Sequence, residues 1–134
     1  MQALGGAKNH MVVLPDADTD LAADAAVSAG FGSAGERCMA VSVLVAVGSV
    51  GDELVAKIAD RVHGLRVGPG TDERSEMGPL VTGPHRDKVA SYVENAPADG
   101  ATVLVDGREG APEEGYFLRP SSTTLAPSAS PASM

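Results

Sequence analysis

Apolar and polar positions fall into short blocks whose periods identify the elements. Met11-Val12-Val13-Leu14 is an apolar run stopped by Pro15, the pattern of a buried strand of about four residues. Leu21, Ala22, Ala25, Ala26 and Ala29 then recur at helical spacing, which predicts a helix over 18–30. An Asp suits its N-cap, and the acidic first turn complements the helix dipole. Gly30, Gly32 and Gly35 end it. Val41-Ser42-Val43-Leu44-Val45-Ala46-Val47 is the strongest strand signal, β-branched and apolar on both faces, and it expects covered faces and strand neighbours on both edges. Leu54, Val55, Ile58, Ala59 and Val62 mark a helix over 52–63, with Gly64 where a C-terminal cap belongs. Residues 65–81 read as loop, and Val89, Tyr92, Val93 and Ala96 mark a helix over 84–96. Thr102 to Val105 reads as a strand closed by the turn pair Asp106-Gly107, and Tyr116-Phe117-Leu118 as a last short strand. From Ser121 the chain turns to Ser, Thr, Pro and Ala without period, so 121–134 is expected to be a disordered tail.

The order strand–helix–strand–helix–helix–strand argues for an α/β fold, a mostly parallel sheet flanked by helices, in one domain over 1–120. The whole chain has 134 residues, 43% of them hydrophobic, with two Phe, two Tyr and no Trp. Its core must therefore be built from Val, Ala and Leu. A net charge of −8 argues against a nucleic-acid or anionic-membrane partner, which needs a basic field. No apolar run approaches the ~20 residues that span a bilayer. The start of the chain lacks the basic and apolar regions of a secretory signal, so a cytoplasmic location is expected. A single cysteine excludes an intrachain disulfide framework.

Several motif-like strings fail on physical grounds. Asp16-x-Asp18-x-Asp20 opens like a calcium loop, but the required Gly and bidentate Glu are replaced by Leu21 and Val27. Gly30-x-Gly32-x-x-Gly35 has the letters of a dinucleotide fingerprint, yet a helix precedes it and a strand follows, the reverse of the required order. His10, His63 and His85 share no metal-ligand spacing and read as surface or turn residues, so no metal is expected.

Cys38 stands apart. It follows a glycine-rich stretch that lets backbone approach a ligand, and Arg37 beside it favours a thiolate. Buried cysteines are ordinarily inert hydrophobes, so the decision rests on context. Phe31 through Ser42 resembles the active-site cysteine signature of the aldehyde dehydrogenase superfamily: an apolar residue, three spacers, Gly, Gln or Glu, any residue, Cys, a small residue, Ala. Gln2 through His10, Gly35-Glu36-Arg37-Cys38-Met39-Ala40, Met77-Gly78-Pro79-Leu80 and Asp106-Gly107-Arg108 resemble its CoA-acylating methylmalonate-semialdehyde branch. The similarity covers about residues 2–120.

This resemblance implies a partial catalytic domain acting on a small-molecule semialdehyde of methylmalonate or malonate, with NAD as cofactor and coenzyme A as acyl acceptor. Cys38 would be the catalytic nucleophile and its backbone N–H one oxyanion donor. Arg37 would bind the substrate carboxylate, with a plain surface ion pair as the alternative. Leu4 and Gly5 would lie by the nicotinamide, a strand-end turn being an equal alternative. Hydrolytic members carry a Glu just before the Leu-Gly-Gly; here Ala3 takes that place and cannot accept a proton, which favours a thiol acceptor over water. Glu36 reads as a loop residue that positions backbone.

Departures from the family pattern matter too. Its dinucleotide-binding domain lies largely upstream, with an Asn that gives the second oxyanion bond; Asn9 does not match that position. The family's downstream ribose-binding Glu and its homo-oligomerisation elements have no counterpart here, and the resemblance stops after Pro120. The expectation is a truncated or frame-shifted gene product, inactive alone and prone to self-association. The competing expectation is a non-catalytic acidic α/β remnant or interaction module.

Overall fold

A computed structural model describes residues 1, 5–112 and 115–125. Strand β1, Asn9–Val13, is followed by helix α1, Thr19–Phe31, and strand β2, Val41–Ala46. Helices α2, Gly51–Gly64, and α3, Gly83–Asn95, come next, then strands β3, Ala101–Val105, and β4, Ser122–Leu125. Short 3-10 turns at Gly32–Gly35 and Gly48–Val50 lead out of α1 and into α2.

The local chemistry accounts for the helix ends. Asp18 caps α1, its carboxylate accepting from the N–H groups of Asp20 and Leu21, both at 3.0 Å. Thr82 caps α3 through the His85 N–H, and a proline sits in the first turn, where its missing N–H costs nothing. In α2, Asp52 and Glu53 lie in the first turn and Arg61 and His63 in the last, matching the dipole at both ends.

β1 and β2 pair in parallel, joined through α1, as the element order predicts. The register slips between Asn9 and His10: Asn9 pairs with Val41 but His10 with Val43. One face of this pair packs on α1 and α2. Val13, Ala22, Ala23, Val50 and Leu54 form a cluster, with Met11, Leu44 and Ile58 against it. Leu54 is fully buried, a burial that stabilises by about 1.5–3 kcal/mol. A second cluster, Val27, Val62 and Val105, joins the other end of the two helices to β3. The core is built of Val, Ala, Leu and Met, as the aromatic-poor composition requires.

Charge fastens the outer rims of α1 and α2. Lys57 Nζ lies 2.8 Å from Asp20 and 2.9 Å from Glu53, and Arg61 bridges Asp20 and Asp24. Hydrogen bonds from Lys57 and then Arg61 hold the Asp20 carboxyl below its ordinary range.

Four expectations are corrected. The buried stripe of α1 is Ala22, Ala23, Ala26 and Val27, while Leu21 is exposed, because the packing face is set by α2 and the sheet and not by side-chain size alone. Val45 of β2 is exposed, and among the described residues β2 has only β1 as a neighbour. Tyr116-Phe117-Leu118 forms no strand; Leu118 is buried, and the Tyr116 carbonyl accepts from the Leu80 N–H at 2.9 Å. Ser122–Leu125, expected to be disordered, pairs antiparallel with β3. Thr and Ser there complete the backbone bonds of β3, a need that local composition does not register. The rest of the expected tail, 126–134, lies outside the described residues, as does Leu4.

Candidate active site

The loop from α1 to β2 carries Cys38. Its first part is bent: Ser33 and Ala34 have φ of 56° and 55°, a left-handed conformation that costs about 1–2 kcal/mol per non-glycine residue. Its second part is a turn over Cys38 and Met39, closed by a bond from the Ala40 N–H to the Arg37 carbonyl at 3.0 Å. Ala40 is buried at the foot of the turn, whereas Met39 and Cys38 stand at its exposed crown. Cys38 is a free, solvent-accessible thiol, not a core hydrophobe. Among the described residues its backbone N–H makes no hydrogen bond, so that donor remains available.

Two side chains outside the loop hold it. Asn9, at the start of β1, donates from Nδ2 to the carbonyls of Cys38 at 3.0 Å and Ala40 at 2.9 Å. His85, in the first turn of α3, places Nε2 3.3 Å from the Glu36 carboxylate. Glu36 therefore acts through its side chain as well as through backbone. Neither contact was legible in sequence, since each joins segments whose proximity depends on strand register or helix placement.

Arg37 points elsewhere. Its guanidinium packs over Gly32, so close that a Cβ there would lie 3.3 Å from Cζ. It lines a cleft of about 590 Å³ with Phe31, Ser33, Arg61 and Met77, a cleft that Cys38 does not line. Arg61 is engaged by Asp20 and Asp24, and the cleft residue Glu76 accepts from the Arg66 N–H. Arg37 is thus the cleft's cation with no ion-pair partner among the described residues.

Gly5 is exposed, and a Cβ on it would meet nothing within 4 Å. The three histidines are dispersed: His10 bonds the Lys8 carbonyl, His63 the Ala59 carbonyl, and His85 faces Glu36. Among the described residues no helix is long and apolar enough to cross a membrane.

The sequence model of the aldehyde dehydrogenase family matches residues 1–132, nearly the whole chain. The chain belongs to the aldehyde dehydrogenase family. Within that family it is 49% identical over 122 residues to a malonate-semialdehyde dehydrogenase of Pseudomonas aeruginosa, covering 88% of this chain and 24% of that protein. The malonate-semialdehyde dehydrogenase of Halalkalibacterium halodurans is 46% identical over 121 residues, covering 90% of this chain and 25% of that one. The crystal structure of a methylmalonate-semialdehyde dehydrogenase from Oceanimonas doudoroffii superposes with a TM-score of 0.85 at 48% identity, over 90% of this chain and 25% of its own. A Sinorhizobium meliloti protein, assigned as a methylmalonate-semialdehyde dehydrogenase and complexed with NAD, gives 0.83 at 45% identity, over 87% and 25%. The chain thus spans about a quarter of the length of the relatives it matches, and its fold is a partial aldehyde dehydrogenase α/β unit.

Proposed function

We propose that this chain supplies the nucleophile segment of a CoA-acylating dehydrogenase for malonate or methylmalonate semialdehyde, and that it is inactive alone. The exposed thiol of Cys38, at the crown of a pinned turn with its own N–H unengaged, carries the reading. The semialdehyde dehydrogenases among its relatives support the substrate class.

In this scheme the Cys38 thiolate adds to the aldehyde carbon. A C–S bond forms while the carbonyl π pair moves onto oxygen, where the Cys38 N–H can donate. Loss of hydride from that carbon to NAD, which supplies only the hydride acceptor, would leave a thioester on Cys38. Gly5 offers open space but no converging donors, so the described residues do not by themselves build a dinucleotide site. The binding groups would come from the remaining three-quarters of such a protein, as would the elements for a homo-oligomer. Arg37 lines a cleft that Cys38 does not, so its planar fork would hold the substrate carboxylate only with the aldehyde end reaching out of that cleft to the cysteine turn. Ala3 provides no base for water, so the acyl group would pass to the thiol of coenzyme A. A cytoplasmic setting suits a catalytic free thiol.

A hybrid tests this scheme. Residues 1–120 replace the matching segment of the Pseudomonas aeruginosa relative, and malonate semialdehyde, NAD and coenzyme A are supplied. The expected outcome is NADH and acyl-CoA formation that Cys38→Ser abolishes. Turnover that survives Cys38→Ser, or that proceeds with water and without coenzyme A, would overturn the scheme. The unfused chain is expected to form no NADH.

A further inference from the structure

Asn9 is the first residue of β1, and its backbone pairs with Val41, the first residue of β2. Beyond that point the parallel ladder ends, because the preceding residues of β2's strand belong to the cysteine turn. The Asn9 side chain continues the bonding where the backbone stops. One amide nitrogen donates to two carbonyls, Cys38 and Ala40, which lie 29 and 31 residues away in sequence. Those carbonyls flank Met39 and frame the turn that the Ala40 N–H closes onto the Arg37 carbonyl.

We propose that Asn9 is the positioning residue for the Cys38 thiol, an inference that rests on reading Cys38 as the nucleophile. Binding the Cys38 carbonyl fixes the plane of the peptide that follows the cysteine. Binding the Ala40 carbonyl fixes the foot of the same turn. Together they leave the Cys38 backbone little freedom to rotate, so the sulfur and the Cys38 N–H keep a set relation to each other. Two donors on one rigid plane are needed for this. A hydroxyl offers one, and a carboxylate would set oxygens against oxygens. The register slip just after Asn9 is part of the device, since it decouples the direction of the Asn9 side chain from the regular alternation of β1.

The chain has one cysteine, so thiol alkylation reports on Cys38 alone. The unfused chain, Asn9→Ala, Asn9→Asp and Ala23→Gly are compared by iodoacetamide labelling at neutral pH, well below each melting temperature. Ala23 is buried in α1, away from the turn, and its variant controls for lost stability. The native chain is expected to react about tenfold faster than glutathione, both Asn9 variants to lose roughly fivefold or more, and Ala23→Gly to keep the native rate. A native rate in Asn9→Ala overturns the positioning role. So does a loss that follows melting temperature across all three variants, which marks a purely structural bond. A native chain no faster than glutathione overturns the nucleophile reading itself.

Discussion

His85 Nε2 lies 3.3 Å from Glu36 Oε1, tying the first turn of α3 to the loop that carries Cys38. Both side chains are partly exposed, so the pair adds little to global stability, about 0–1 kcal/mol. Its effect is local. His85→Ala is expected to speed hydrogen exchange of the 36–39 amides while leaving the α1 and α2 amides and the melting temperature nearly unchanged. Exchange read by mass spectrometry checks this, and unaltered loop protection would show that the contact restrains nothing.

Arg37 is expected to discriminate by substrate charge. In the hybrid enzyme, Arg37→Ala loses a charge-assisted bond of about 2 kcal/mol, roughly thirtyfold in kcat/KM for malonate semialdehyde. An uncharged aldehyde such as propanal should be affected far less. Equal losses for both aldehydes would place Arg37 in the fold and not at the carboxylate.

Gly107 is enclosed by backbone. A Cβ there would meet the Arg119 carbonyl oxygen and the Pro120 oxygen well inside contact distance, and the Gly107 carbonyl accepts from the Arg119 N–H at 3.0 Å. Its N–H also donates to Ser121 Oγ at 2.8 Å. Backbone cannot yield as a side-chain tip can. Gly107→Ala is expected to cost about 1–3 kcal/mol in denaturant unfolding and to release β4 from β3.

Asp106 carries the pH dependence. Hydrogen bonds from the Arg108 guanidinium, and then from its backbone N–H, lower its carboxyl to about 2. A folded-state value below the unfolded one means that the contribution is whole above 3.8 and is lost as pH falls toward 2. The pair is partly exposed, so solvent screening keeps the effect small. Carboxyl NMR should show Asp106 titrating near 2 in the native chain and within the ordinary carboxylate range in Arg108→Ala. Identical titration in both would remove Arg108 as the cause.

Legibility followed the range of the interactions. An Asp as the cap of α1 depends on neighbours within one helical turn and was readable from the chain, whereas Gly64, expected as the cap of α2, is its last helical residue and Leu65 takes the cap position. The α1 face failed because five alanines and a leucine give almost no amphipathic contrast, so only contact with α2 could choose Ala23 over Leu21. β4 failed because Ser122 to Leu125 has no strand-like pattern of its own and is ordered by the open edge of β3.

For the site, the residues around Cys38 carried the family resemblance, because that signature is a set of close neighbours in sequence. Asn9 and His85 could be found only in three dimensions. Their bonds span tens of residues, and their partners are a carbonyl pair and a loop carboxylate that any polar side chain could meet. Amino-acid order thus determined the helices, the central strands and the family signature around Cys38, since short-range periodicity, capping and local motifs act within a few residues. Packing and strand register alone decided which face of α1 is buried, where the chain closes its second sheet, and what holds the cysteine still, because those depend on free energies shared between segments that meet only in the folded state.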